Sequence, residues 1–185
     1  MQKELIEQLL SDPTLPCTVH ELAWVSPRTI PFSDGVRGMC AANRCGMYGK
    51  SWACPPGVGT VGQCRSRCLG YQKGLCVSTI VEVADISDID ETLATRPDHE
   101  AVTEQVAALM KDHGAKETYI LSTEACAVCE KCAILDGQPC RFPERMHPCV
   151  ESQGIVISDL AEKHGIAFIY GGNIVTWFSL ILYND

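Results

Sequence analysis

The chain has 185 residues, of which 46% are hydrophobic, and a formal net charge of −8 at pH 7. This length suffices for one compact domain over residues 1–185, and the acidic balance argues against general nucleic-acid binding. The sequence lacks an apolar run of the roughly 18 residues that a transmembrane helix needs. Residues 1–7 are more charged than a signal peptide, so we expect a cytoplasmic protein.

Two elements are predicted before the first cysteine-rich stretch. Residues 18–32 contain a strand-like stretch that Pro27 and Pro31 interrupt. Residues 1–12 are expected to form a short helix, whose apolar face consists of Leu5, Ile6, Leu9 and Leu10.

Residues 35–74 differ in composition from the rest, with nine of the 15 glycines and five of the 12 cysteines. We expect little regular structure in this segment and a role in wrapping around a ligand. One helix is nevertheless predicted, because Thr60-Val61-Gly62-Gln63 has the form of a capping box and places Cys64 in a first helical turn.

From residue 75 onward the pattern is that of a mixed helix and strand protein. Buried strands are predicted over 75–83, 117–122 and 174–183, and a helix over 155–164. A longer helix is predicted to begin with Thr95 as N-cap and to end at Gly114. This order predicts an α/β fold, namely an α+β sandwich with ferredoxin-like β-α-β-α-β elements and cysteine-rich, cluster-binding loop insertions over 35–74 and 124–150.

The second insertion carries the more specific cysteine pattern. Cys126, Cys129 and Cys132 form C-x-x-C-x-x-C, and Cys140 follows between Pro139 and Arg141. Thiolates every third residue can each bind a different iron of a cubane, whereas structural zinc more often uses two separated C-x-x-C pairs. In a reducing cytosol, disulfides are the weaker alternative. We therefore expect a [4Fe–4S] cluster here, with zinc as the alternative.

The first insertion contains a looser set, which consists of Cys40, Cys45, Cys54 and Cys64. Pro55 follows a cysteine, as proline does in ferredoxin motifs, and the predicted helix N-terminus favours the Cys64 thiolate. Residues 37–73 also contain six cations and no carboxylate, namely Arg37, Arg44, Lys50, Arg65, Arg67 and Lys73. A second [4Fe–4S] cluster would be stabilised by these cations, and the alternative is a basic surface that docks an acidic partner.

Both cysteine sets lie in motifs that resemble a domain-of-unknown-function family of predicted metal-binding proteins, found mostly in anaerobic bacteria and archaea. The resemblance covers about residues 37–160 and implies metal binding in an anaerobic setting, without an established reaction. Members carry serine where this chain has Cys149, so the resemblance does not include Cys149 among the ligands. The matching residues are Arg37, Cys40, Cys45-Gly-Met-Tyr-Gly-Lys-Ser-Trp-Ala-Cys54-Pro-Pro, Cys64, Tyr71, Cys126, Cys129, Cys132, Pro139-Cys140-Arg141, Pro143-Glu144, Pro148, Glu151-Ser152 and Gly154-Ile155.

Four cysteines remain outside the two sets. Cys68 lies one helical turn after Cys64 and could replace it as a ligand. Cys76 is expected in the core and Cys17 has no expected role. Cys149 is a candidate spare ligand or redox thiol, and the nearby His147 is a candidate hydrogen-bond donor to a ligand rather than a ligand.

These patterns support three functions. The first is electron transfer to a redox partner protein, because a fully thiolate-ligated cluster has no open iron. The second is a reductase, in which one cluster has an open iron or lies beside redox thiols. The third is a non-catalytic iron–sulfur or zinc scaffold or sensor.

Overall fold

The computed structural model describes residues 6–7, 11–168 and 171–185. Most of the helix predicted over residues 1–12 therefore lies outside the described residues, although Ile6 is buried against the core. Among the described residues, no helix combines the length and apolar character needed to cross a bilayer.

A four-stranded antiparallel sheet forms the centre of the structure. Its strands are β1 (Thr18–Val25), β2 (Lys73–Glu82), β3 (Lys116–Leu121) and β4 (Ile174–Asn184). The spatial order is β1-β2-β4-β3, and each neighbouring pair is antiparallel. The predicted strands β2, β3 and β4 are confirmed, and so is a mixed α+β fold. The ferredoxin-like arrangement is not confirmed.

The helices are α1 (Asp34–Ala41), α2 (Val61–Leu69), α3 (Ile89–Ala94), α4 (Arg96–Asp112) and α5 (Ile157–Lys163). Three short 3-10 helices lie at Pro27–Thr29, Ala133–Asp136 and Glu151–Gln153. The prediction of little regular structure over 35–74 was wrong, because most of α1 and all of α2 fall there. The Ser33 hydroxyl accepts the Gly35 N–H at 3.1 Å and caps α1.

Both faces of the sheet are covered, because alternate residues of a strand point to opposite sides. On one face, Ile181 of β4 shares a core with Val106 and Met110 of α4. On the other, Leu180 shares a core with Leu160 of α5 and Cys68 of α2. Burying each of these large side chains stabilises the fold by about 1.5–3 kcal/mol.

The two predicted helix starts differ in outcome. The Thr60 capping box is confirmed: its hydroxyl accepts the Gln63 N–H at 3.2 Å, and the Gln63 side chain accepts the Thr60 N–H at 2.8 Å. The start predicted at Thr95 is confirmed in position, since Thr95 is the N-cap residue of α4, but Thr95 makes no side-chain capping hydrogen bond because α3 ends just before it and its backbone is helical. Its hydroxyl donates instead to the Thr92 carbonyl and accepts the indole N–H of Trp177, each at 2.8 Å.

A row of buried polar side chains lies between α4 and the sheet. His99 Nδ1 is 2.8 Å from the hydroxyl oxygen of Thr79 on β2. Thr103 donates to the His99 carbonyl, and its hydroxyl lies 2.9 Å from that of Ser179 on β4. These hydrogen bonds satisfy polar groups inside an otherwise apolar layer and fix the position of the helix on the strands.

Candidate metal centre

The four cysteines of the second set lie together in the loop between β3 and β4. Cys126, Cys129, Cys132 and Cys140 are all half-buried, and all four line one small pocket. The structure thus brings together the residues that the C-x-x-C-x-x-C pattern singled out. Burial raises the pKa of the Cys126 thiol, and the neighbouring Cys140 and Cys132 thiols add to this effect.

Short-range contacts shape this loop. The Arg141 guanidinium donates to the Lys131 carbonyl at 2.8 Å, and the Lys131 ammonium lies 2.5 Å from the Asp136 carboxylate. A 3-10 turn over Ala133–Asp136 ends at Gly137, whose φ of +65° is in the left-handed region. No described helix or strand of the sheet passes through residues 123–132. The positions of the cysteines in this segment are therefore fixed by turns and by any metal that they bind.

Three cysteines of the first set also lie near one another. Cys40 is at the C-terminal end of α1, Cys45 is exposed in the following turn, and Cys54 is buried. Burial raises the pKa of the Cys40 thiol, the Arg37 guanidinium opposes this, and the Cys45 and Cys54 thiols raise it further. Cys45 and Cys54 are therefore close enough to Cys40 for their charges to affect its pKa.

Cys64 is held by other contacts. It is fully buried on α2, and its thiol donates to the Val58 carbonyl at 3.4 Å. Arg37 Nη2 lies 3.6 Å from its sulfur, while Nη1 of the same guanidinium donates to the Gly59 carbonyl at 2.7 Å. The alternative, Cys68, is a core thiol whose pKa is raised by burial to about 12.

Cys149 lies beside the first set, where sequence reasoning did not place it. The Cys149 and Cys54 thiols interact, and this interaction lowers the pKa of Cys54 and raises that of Cys149. The Cys149 sulfur accepts the Ser152 N–H at 3.2 Å. A parallel bridge to Ser122 at the end of β3 positions the segment. One indication of a role for Cys149 was present in the sequence, namely that it is a surplus cysteine close to His147.

The charges near the first set differ from the expected all-cationic environment. Arg44 and Lys50 are exposed, and among the described residues the cation hydrogen-bonded to a cysteine sulfur is Arg37. Carboxyl groups also raise the pKa of thiols in the first set, since Glu124 of the second insertion acts on Cys54, and Glu151, which directly follows that insertion, acts on Cys40. Burial raises the pKa of the Glu151 carboxyl, which favours its neutral form.

The two insertions contact each other. The Trp52 indole N–H donates to the Gln138 carbonyl at 3.0 Å, which joins residues 35–74 to 124–150. A pocket of about 360 Å³ lies at this junction, and its lining includes Trp52, Arg67, Tyr119 and Cys140. The Arg67 guanidinium donates to the Tyr119 hydroxyl at 3.2 Å. The junction therefore combines an aromatic wall, a cation and a candidate ligand cysteine.

The remaining candidates lie apart from the cysteine sets or at their edge. His147 is half-buried, with Nε2 3.7 Å from a Glu104 carboxylate oxygen, and burial lowers its pKa. It lines a pocket of about 450 Å³ that also contains Cys126. Cys76 is in the core as predicted, and Cys17 packs at the edge of the other core.

A comparison with protein-family profiles shows to which family the chain belongs. The profile of DUF2284, described as a predicted metal-binding protein, matches residues 23–183. The chain belongs to this family. The match spans both cysteine sets and confirms the resemblance seen in the motifs. No curated protein and no solved structure matched this DUF2284 member.

The cysteine-lined pocket of the second set is the candidate metal site of this DUF2284 member. Among the described residues, no three His, Cys, Asp or Glu side chains form a group that could hold a single metal ion. A cubane is bound differently, with one thiolate on each of four irons. The second set offers four thiols around one pocket, and Cys149 shows a backbone N–H directed at sulfur, as cluster ligands have.

Proposed function

We propose that this DUF2284 protein binds two [4Fe–4S] clusters and transfers electrons to a redox partner protein in anaerobic metabolism. The observation that carries the proposal is the pocket lined by Cys126, Cys129, Cys132 and Cys140. Cys40, Cys45 and Cys54 supply thiolates for the other cluster, and Cys64 and Cys149 are the candidates for its fourth position. When bound, each cluster would supply a one-electron couple.

The residues of this chain would fix and tune those couples. Four thiolates would leave no open iron, so a partner would exchange electrons through the protein surface. Trp52 lines the junction between the insertions, and its hydrogen bond to Gln138 would help to fix the two cysteine-rich segments relative to each other. The carboxylate of Glu124 would disfavour added negative charge at the first cluster, so it would favour the oxidised state of that cluster.

The pocket at the junction favours a second candidate function, an iron–sulfur reductase. Its volume of about 360 Å³ is that of a small-molecule site, and Cys140 is part of its wall. Arg67 and Tyr119 would orient a polar substrate group there, since the guanidinium and the hydroxyl are already hydrogen-bonded to each other. In that case a substrate would receive electrons directly at the second cluster.

Anaerobic purification with iron, sulfide and zinc quantification tests the cluster proposal. We expect about eight iron and eight sulfide per chain and reversible reduction observed by EPR. Stoichiometric zinc without sulfide would refute it and favour a scaffold. Multiple turnovers with a small-molecule acceptor, in the absence of any partner protein, would favour the reductase instead.

A further inference from the structure

We propose that Cys149, rather than Cys64, supplies the fourth thiolate of the first metal centre, together with Cys40, Cys45 and Cys54. This inference rests on the proposed function, since it names the ligand set of one of the two clusters. It also means that the second insertion contributes a ligand to the first site.

Proximity within the fold is the first argument. Cys149 and Cys54 are both buried, at 9% and 6% exposure, and each thiol shifts the pKa of the other. The 3-10 helix Glu151–Gln153, which begins two residues later, packs against α1, the helix that carries Cys40. The Ser33 N–H, just before α1, also donates to the Gly154 carbonyl at 2.7 Å.

The hydrogen-bonding of the Cys149 sulfur is the second argument. It accepts the Ser152 N–H at 3.2 Å, and an N–H directed at sulfur stabilises a cluster thiolate. The backbone is fixed from both sides, because Ser122 donates to the Pro148 carbonyl at 2.9 Å and accepts the Val150 N–H at 3.0 Å. Cys149 is thus held in place before any metal binds.

The environment of Cys64 is the third argument. Its thiol donates to the Val58 carbonyl, and the Arg37 guanidinium spans its sulfur and the Gly59 carbonyl. These contacts bind the turn before α2 to α1. Cys64 is fully enclosed by protein, whereas Cys40 and Cys45 are reachable from solvent. A structural role in joining α1 to α2 accounts for Cys64 without metal ligation.

The test compares Cys149→Ala and Cys64→Ala as full-length proteins purified under anaerobic conditions. We expect Cys149→Ala to lose about half of the iron and sulfide and one EPR signal, while Cys64→Ala keeps the wild-type content. The cluster retained by Cys149→Ala shows that this variant is folded. Cys149→Ser should restore iron with an altered EPR signal, because oxygen replaces sulfur at one iron.

Several results would overturn the inference while leaving the proposed function intact. These are a wild-type iron content in Cys149→Ala, or a loss of half the iron in Cys64→Ala. If Cys149→Ala fails to fold, a wild-type EPR signal in Cys149→Ser would refute ligation equally well. Absence of iron and sulfide from the wild-type protein would instead refute the proposed function, and the inference with it.

Discussion

The buried imidazole of His99 makes the stability of this protein sensitive to acid. The side chain is 0% exposed between α4 and the sheet, and only Nδ1 has a close polar partner, the Thr79 hydroxyl at 2.8 Å. Burial lowers the pKa of His99 from 6.5 to about 4, and the Phe178 backbone opposes this only weakly. A protonated imidazole would be a nearly unpaired charge in a dry layer, so the folded protein keeps it neutral.

The sign and size of the effect follow from proton linkage. In the unfolded chain His99 protonates below its ordinary pKa of 6.5, but in the folded protein only below about 4. The unfolded state therefore binds more protons between these values, and the free energy of unfolding falls as the pH falls through this window. When the pH is lowered from about 7 to about 5, this residue alone should reduce the free energy of unfolding by ~2 kcal/mol.

Urea denaturation at several pH values measures this contribution as a difference between variants. Carboxylates and any bound metal also respond to pH, but their contributions cancel when His99→Gln is compared with the wild type. We expect the free energy of unfolding to fall by ~2 kcal/mol less in His99→Gln than in the wild type when the pH is lowered from about 7 to about 5. His113→Gln, at an exposed position of the same region, retains His99 and should follow the wild type. Parallel pH profiles for the wild type and His99→Gln would refute the reasoning.

Three further predictions concern the cysteine-rich insertions. Cys129→Ala should lower the thermal stability of the anaerobic protein more than Cys17→Ala, because metal binding contributes folding free energy to the turn-rich loop; equal melting temperatures would contradict this. Trp52→Phe should reduce the free energy of unfolding in urea by ~1 kcal/mol, because the hydrogen bond between the insertions is lost, and an unchanged value would contradict that role. Arg37→Gln should reduce the free energy of unfolding by about 1.5–3 kcal/mol in the same assay, because the hydrogen bond to the Gly59 carbonyl is lost. Arg65→Gln, at an exposed position, should change it little, and equal effects of the two substitutions would show that the Gly59 contact is unimportant.

Elements with strong local signals were predictable from the sequence. Residues 75–83 and 174–183 are predominantly apolar segments, and they form the two central strands, β2 and β4, which are buried on both faces. The Thr60 capping box needed only four consecutive residues, so it could be identified without tertiary information.

Features that depend on tertiary contacts were not predictable in the same way. Thr95 matched an N-cap pattern, but Trp177, 82 residues away, uses its hydroxyl as an acceptor, and α3 ends there. The polar partners of His99 lie on other elements, so its sequence neighbours gave no sign of its burial. Cys149 was left outside both sets because its neighbour Cys54 is distant in sequence and because the family resemblance contains serine there.

The placement of Cys149 has a consequence for how the two sites form. If spacing alone selected ligands, each insertion would bind its own metal and the sites would assemble independently. If Cys149 is a ligand as proposed, the second insertion completes the first site, while the indole of Trp52 in the first insertion donates a hydrogen bond to the Gln138 carbonyl of the second. Each site is then completed or supported by the other segment. Because loops of this length have few other stabilising contacts, filling one site lowers the entropy cost of ordering the other. Loading of one centre should therefore assist loading of the other without being required for it, so a variant that lacks one centre still binds metal at the other.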